Sequence, residues 1–102
     1  MSVTMDDLPS LPADVEVAVY RIVAEAVTNA VRHAGARHIR VTARAAKDSL
    51  HVTVVDDGRG AGGSPAGVGL DSMRRRAEAL GGTFRITSRA HDGTTVAATL
   101  PL

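Results

Sequence analysis

The chain of 102 residues has the length of one domain, and its 12 basic and 11 acidic side chains leave a net charge of +1. This balance, with one tyrosine and one phenylalanine as the aromatic residues, argues against a nucleic-acid partner, which needs cationic surface and stacking rings. A hydrophobic share of 44% excludes a disordered chain, and no apolar run reaches the ~20 residues of a membrane span. The lack of cysteine excludes disulfides and suits a reducing compartment.

The N-terminal part is predicted to be a lead segment followed by one long helix. Residues 1–12 contain two prolines and no periodicity, so we assign them to a lead segment with a short strand at its start, and 13–102 to the folded domain. Apolar residues then recur at helical spacing from Asp14 to Ala34, and Gly35 ends the helix. The apolar stripe expected to face a core consists of Val15, Val19, Ile22, Ala26 and Ala30.

Two hairpins and a second helix complete the predicted fold. Hydrophobic residues alternate in Arg37–Ala46 and in Leu50–Asp56, which indicates an antiparallel hairpin. Leu70–Leu80 is amphipathic and ends at two glycines, and a last hairpin pairs Thr83–Arg89 with Thr94–Leu100. The order helix, hairpin, helix, hairpin predicts an α+β fold, a two-layer α/β sandwich of a mixed sheet with both helices packed on one face.

One stripe of the long helix is polar although the helix is otherwise patterned to bury an apolar face. Glu25, Asn29 and His33 lie four residues apart, hence one turn above another, and Arg32 is beside the last of them. Carboxylate and amide oxygens are ligands that Mg²⁺ prefers, and an arginine favours a phosphate. A solvated helix face would carry the same residues, so the stripe alone leaves both interpretations open.

Asp56 is predicted to point inward at the end of its strand. It shares the parity of Val52 and Val54, and with Gly58 and Gly60 it forms an Asp-x-Gly-x-Gly sequence. An inward carboxylate can accept a hydrogen bond from the amino group of adenine, where guanine carries a carbonyl. A turn capped by aspartate would give the same short sequence, so both interpretations stand.

A second glycine-rich run leads into the second helix. In Gly67-Val68-Gly69-Leu70, free backbone N–H groups and the helix dipole would favour an anion such as phosphate. Thr94 has inward parity, so its hydroxyl can join Asp56 in one pocket, although threonine is also common at the start of a strand. Each of these signals is weak by itself.

Taken together and in order, these segments resemble a known superfamily. The segments are Glu25–Ala34, Asp56–Gly60, Gly67–Leu70 and Gly93–Thr94. They are similar to the N, G1 and G2 boxes and the closing Gly-Thr of histidine-kinase, gyrase, chaperone and mismatch-repair ATPases, and this resemblance implies the Bergerat ATP-binding fold. Three further segments, Tyr20–Val23, Gly69–Gly82 and Leu100–Leu102, more closely resemble the nitrate-sensor-like branch of bacterial two-component sensor kinases.

The resemblance implies roles at the phosphate end of an ATP site. Asn29 would coordinate Mg²⁺ on the phosphates, and Glu25 would hold or polarise a water beside it. Arg32 would contact phosphate, and His33 would lie beside the nucleotide. Six residues, Ala61–Ala66, separate the two glycine runs, so the lid that many relatives place there must be very short.

The resemblance also implies roles at the adenine end. Asp56 would bind the adenine amino group, with Thr94 supporting it. The remaining residues predicted to bind the nucleotide, where the backbone wraps the ligand and the second helix begins, are Gly58, Gly60, Gly67, Gly69 and Leu70.

The implied activity is that of a protein histidine kinase catalytic domain, which donates the γ-phosphate of Mg-ATP to a histidine on a separate dimerisation domain and so acts indirectly on a response regulator. The isolated domain is expected to be a cytoplasmic monomer that binds ATP and ADP, without direct membrane contact, whether or not the parent kinase is membrane-anchored. Two alternatives remain, an anti-sigma-factor-like serine kinase of the same fold and a nucleotide-binding module without transfer activity. Met73–Gly82 favours the histidine kinase over the serine kinase.

Overall fold

A computed structural model describes residues 2–5, 10–32, 35–58, 68–89 and 93–102, in which five strands form one sheet and two helices cover it. This arrangement confirms the predicted α+β class. The strands are β1 Ser2–Met5, β2 Ile39–Ala46, β3 Ser49–Asp56, β4 Thr83–Arg89 and β5 Gly93–Pro101, and the helices are α1 Ala13–Arg32 and α2 Val68–Ala79.

The sheet has the strand order β1-β2-β3-β5-β4 and is mixed, as predicted. The pairs β2–β3, β3–β5 and β5–β4 are antiparallel, so both predicted hairpins form, and β1 runs parallel to β2 at one edge. The short strand expected at the start of the lead segment is therefore an edge strand of the sheet. The division of the chain at residue 12 stays a prediction.

One hydrophobic core lies between the sheet and the two helices, which confirms that both helices pack on the same face. The buried stripe of α1 also includes Ala18, because a helix that covers a sheet buries a stripe wider than one row. Val19, which was predicted to face the core, is only partly buried against it. The residues buried in this core are Val15, Ala18, Ile22, Ala26, Ala30, Ile39, Val41, Leu50, Val52, Val54, Met73, Ala77, Phe84, Val96, Ala98 and Leu100.

The start of β2 differs from the prediction. The strand begins at Ile39 rather than at Arg37. The backbone N–H groups of Arg37 and His38 donate to the carboxylate of Asp57, so at these two residues a side chain takes the donors. The alternating sequence extends into this region, but the N–H groups of these two residues do not bond to the backbone of β3.

The helix ends follow familiar capping chemistry. The N–H of Glu16 donates to the carbonyl of Pro12 at 3.0 Å as α1 begins. After α1, Gly35 has a φ of 61°, in the left-handed region that glycine adopts without strain, and the N–H of Ala36 returns to the carbonyl of Ala30 at 3.0 Å. The second helix begins at Val68, two residues earlier than predicted, because a first turn makes no intrahelical N–H bonds and so tolerates glycine.

The three consecutive arginines of α2 are all exposed, and two of them have partners. The guanidinium of Arg74 lies 5.4 Å from the centroid of the Phe84 ring, and that of Arg75 pairs with Asp71 one turn earlier at 2.6 Å. Asp71 therefore forms an ion pair within its own helix. Within the described residues, no helix combines the length and the apolar character needed to cross a membrane.

Candidate functional site

Three of the predicted segments meet at one end of the sheet. Asp56, the last residue of β3, is paired with Thr94 near the start of β5 and lies opposite the first residue of β2. The chain reaches that start of β2 directly from α1, and the Ala36 to Ala30 hydrogen bond keeps the last turns of α1 close to it. Asn29, next to Ala30, is therefore brought to the same end of the molecule as Asp56 and Thr94.

Asp56 is the buried charged residue of the described chain, with 9% of its surface exposed. Its inward orientation confirms the parity argument. The carboxylate Oδ1 accepts the backbone N–H of Gly58 at 2.8 Å, which fixes the direction of the carboxylate and supplies one of the donors that a buried anion needs. A fixed, inward acceptor at a strand end can recognise the donor of a ligand.

Gly93 lies against the backbone of Asp56 and cannot be replaced without strain. Its φ is 90°, and a Cβ at this position would overlap the carbonyl oxygen of Asp56. In the sequence this glycine directly precedes Thr94, but the need for glycine at residue 93 is visible only in three dimensions. The first residue of β5 must have no side chain if the strand is to close on the Asp56 carbonyl.

Asp57 has a structural role that the sequence did not predict. Its Oδ1 accepts the N–H groups of Arg37 at 2.8 Å and His38 at 2.9 Å, and the ring Nδ1 of His38 lies 2.8 Å from Oδ2. Because an ionised carboxylate only accepts, Nδ1 carries the proton of this bond. The backbone N–H of Asp57 in turn donates to the carbonyl of His38 at 3.2 Å. We call these four hydrogen bonds the Asp57 clip.

The clip favours the ionised form of Asp57. Hydrogen bonds from the backbone N–H of His38, from its ring and from the N–H of Arg37 lower the pKa of Asp57 from 3.8 to about 2. His38 is exposed, and its partner lies 19 positions away in the chain. No local pattern links the two residues. The one available signal is the outward parity of Asp57, which directs it away from Asp56.

Of the polar stripe of α1, Glu25 lines a cleft between the two helices. Glu25 and Asn29 are half-buried, and Arg32, at the end of the helix, is exposed. Glu25 forms part of the wall of the cleft, which has a volume of about 240 Å³. The cleft is lined by Tyr20, Arg21, Ala24, Glu25, Thr28, Ser72, Met73 and Arg76.

The structure describes some of the other predicted site residues and not the rest. Gly58 is buried beside Asp56, and Thr94 is half-buried. Gly69 lies in the first turn of α2 rather than before it, and Leu70 lies in the same turn. The predictions at His33, Gly60 and Gly67 fall outside the described residues.

Comparison with known proteins identifies the family. Residues 14–102 match the family described as histidine kinase-, DNA gyrase B- and HSP90-like ATPases. The sensor histidine kinase YxjM of Bacillus subtilis is 39% identical to this chain over 91% of its length. The sensor histidine kinase LnrJ of the same organism is 36% identical over 90% of its length. The chain spans 23% of the length of each of these relatives.

Solved structures show the same relationship. The histidine kinase domain of the blue-light activated kinase of Erythrobacter litoralis matches with a TM-score of 0.83 and 25% identity, over 99% of this chain and 54% of that one. The ATP binding domain of PrrB from Mycobacterium tuberculosis matches with a TM-score of 0.67 and 25% identity, over 99% of this chain and 79% of that one. The chain therefore belongs to the histidine kinase-, DNA gyrase B- and HSP90-like ATPase family, as an ATP-binding domain of the sensor histidine kinase type.

Proposed function

We propose that this domain binds Mg-ATP and presents the γ-phosphate to a histidine on the dimerisation domain of a parent sensor kinase. The observation that carries the proposal is the convergence of the α1 polar stripe and the buried Asp56 at one end of the sheet. A nucleotide has a base at one end and phosphates at the other. Asp56 is an acceptor suited to the amino group of the base, and Glu25 and Asn29 carry hard oxygens suited to the metal on the phosphates.

Asp56 recognises the base. With Oδ1 held by the N–H of Gly58, the proposal assigns Oδ2 to the amino group of adenine, supported by Thr94 from the paired strand. Guanine would place a carbonyl against the carboxylate, and two acceptors facing each other without a proton repel. Adenine should therefore be strongly preferred.

Asn29 and Glu25 suit the phosphate end. Both are half-buried and one helical turn apart, and both offer the hard oxygens that Mg²⁺ prefers. Among the described residues no group of three or more His, Asp or Glu side chains could hold a metal by itself. A Mg²⁺ that arrives on ATP needs only one or two protein ligands beside water and phosphate oxygens, so the residues present fit this cofactor.

Each of these residues has an assigned task. Asn29 would hold the metal, Glu25 would orient a water beside it, and Arg32 would contact a phosphate. Mg²⁺, when bound, supplies neutralisation of the phosphate charge. In the transfer, the bond between the γ-phosphorus and the oxygen that bridges it to ADP breaks as a bond to an imidazole nitrogen forms, and ADP leaves.

The acceptor histidine lies in the rest of the parent kinase. His38 is engaged by Asp57, and His51 projects from β3 with its Nδ1 3.2 Å from the hydroxyl of Thr99, so neither is free to approach a γ-phosphate. His33 and His91, outside the described residues, are predicted to lie in the nucleotide site and in the far hairpin. Because the relatives are several times longer than this chain, they have room for a separate acceptor domain.

The decisive experiment uses γ-labelled ATP. The isolated chain should bind ATP and stay unlabelled, and adding the histidine-bearing helices of the parent should give acid-labile phosphohistidine on those helices. Acid-labile label on the isolated chain would contradict the proposal. Acid-stable phosphoserine on an added partner would favour the serine kinase, and ATP binding without any transfer would favour a nucleotide-binding module.

Adenine recognition is tested separately by calorimetry. ATP and ADP should bind much more tightly than GTP, and Asp56→Ala should cost ~1 to 3 kcal/mol of ATP affinity, as for a lost hydrogen bond to a charged group. Asp48→Ala, at an exposed aspartate in the turn at the opposite end of the sheet, is the matched control. Equal affinity for ATP and GTP would remove Asp56 from the base site.

A further inference from the structure

We propose that Asp57 is a positioning residue that sets the spacing between the adenine end and the phosphate end of the nucleotide site. The inference rests on the proposed function and adds a residue to which neither the family resemblance nor the comparisons give a role. Its basis is the Asp57 clip, which joins two segments that carry opposite ends of the site.

On one side, the clip fixes the segment that contains Asp56. Asp57 lies between Asp56 and Gly58, whose N–H holds the Asp56 carboxylate. Two backbone N–H groups and one ring nitrogen converge on the Asp57 carboxylate at 2.8 to 2.9 Å. A carboxylate engaged at both oxygens has little freedom to rotate, so the backbone on either side of it is held as well.

On the other side, the clip holds the connection that leaves α1. Arg37 and His38 follow Ala36, whose N–H returns to the carbonyl of Ala30 at 3.0 Å. Ala30 is buried in the core and is adjacent to Asn29. Hydrogen bonds at Ala36 and at residues 37 and 38 therefore tie this short stretch of backbone to the Asn29 turn of α1 on one side and to Asp57, the neighbour of Asp56, on the other.

The sheet itself does not provide this connection. Pairing between β2 and β3 fixes Ile39 opposite Asp56, but residues 37 and 38 precede the strand. Their N–H groups bond to the Asp57 side chain instead. Without that side chain, the link between α1 and β2 would lose three of the four bonds of the clip and keep the backbone bond from the N–H of Asp57 to the carbonyl of His38, although the core and the sheet would remain.

The clip should therefore affect ligands according to their length. Adenosine reaches the Asp56 end alone, whereas Mg-ATP must fit Asp56 and Asn29 at once. A small error in the spacing of two groups penalises only a ligand that touches both. A residue with a merely structural role would lower the thermal midpoint and leave the ratio of the two affinities unchanged.

The experiment measures Mg-ATP and adenosine binding by calorimetry on the chain and its variants, well below the thermal midpoint of each. Asp57→Ala should weaken Mg-ATP by about tenfold or more while adenosine changes by less than about twofold. His38→Ala, which removes the ring bond but leaves both backbone donors, should have a much smaller effect in the same direction. Asp48→Ala should change neither affinity.

A second variant covers the case in which Asp57→Ala does not fold. Asp57→Glu keeps the charge and moves the carboxylate outward by one methylene, so it should also lower the ratio of Mg-ATP to adenosine affinity. Equal losses for the two ligands, or an unchanged ratio in both variants, would overturn the inference. Failure of the wild-type chain to bind Mg-ATP would instead overturn the proposed function.

Discussion

The two ends of the sheet are closed by different chemistry. At the end formed by Asp56 and Gly93, carboxylates take backbone N–H groups, and a glycine lets one strand lie directly against the next. At the opposite end, the β2–β3 turn places Lys47 in the left-handed region with a φ of 56°, and the N–H of Leu102 donates to the carbonyl of Asp48 at 2.7 Å. The second end is held by backbone groups and is exposed.

Under the proposed function, this difference distinguishes an end of the sheet that binds a ligand from an end that only connects strands. A turn that only connects two strands can use backbone hydrogen bonds and can accept an ordinary side chain in a strained conformation. An end that binds a ligand needs side-chain acceptors held in fixed directions, and each of them requires its own donors. Substitutions at the two ends should therefore have unequal consequences.

The largest effect is expected at Gly93. Gly93→Ala would force a Cβ against the Asp56 carbonyl at a φ of 90°, so unfolding free energy should fall by about 2 to 5 kcal/mol and ATP binding should be lost. Gly35→Ala is the control, since Gly35 also has a positive φ but open space around it, and it should cost only about 1 to 2 kcal/mol. Denaturant unfolding measures both variants, and equal costs would refute the close approach.

Asn29 tests the phosphate side of the same end. Asn29→Ala should weaken Mg-ATP by ~1 to 3 kcal/mol and should weaken ATP measured in EDTA much less, because the amide is assigned to the metal. Glu16→Ala, on the exposed first turn of α1, should leave both affinities unchanged. If the losses with and without magnesium are equal, Asn29 is structural and the metal ligand lies elsewhere.

Acid should weaken the clip in a defined range. The pKa of Asp57 is lowered from 3.8 to about 2, so the stabilisation from this group is fully present above about pH 4 and is lost as pH falls through about 2. The stability advantage of the wild type over Asp57→Ala should therefore shrink across that range. Chemical unfolding at several acid pH values measures it, and a difference that is constant down to pH ~2 would contradict the lowered pKa.

The smallest effect is expected at the connecting end. Lys47→Gly removes the strain of a left-handed lysine but makes the unfolded chain more flexible, so stability should rise by less than about 1 kcal/mol. Nucleotide affinity should not change. A loss of ATP binding in this variant would show that the two ends are coupled and would contradict their separate roles.

Periodicity predicted most of the fold. Alternation placed Leu50, Val52 and Val54 in the core and turned Asp56 inward, and helical spacing identified the buried face of α1. These properties depend on residues close together in the chain. The order of the elements then left few ways to form a sheet with one covered face, which is why the architecture followed.

Contacts between distant residues could not be predicted in this way. The bond between Asp57 and His38 spans 19 positions and depends on how α1 returns to the sheet, and the need for glycine at residue 93 depends on the position of the Asp56 carbonyl. The start of α2 was misplaced because helix propensity penalises Gly69, whereas a first turn tolerates it. The ligand roles of Glu25, Asn29 and Arg32 stay predictions.

The parallel pairing of β1 with β2 affects how the domain can be shortened. The family match begins at residue 14, so a truncation designed from that match would delete Ser2–Met5. The backbone N–H and C=O groups of β2 that pair with β1 would then form a bare sheet edge. Such an edge is a template for strand addition from a second copy, and the shortened domain would tend to self-associate even with its nucleotide site intact.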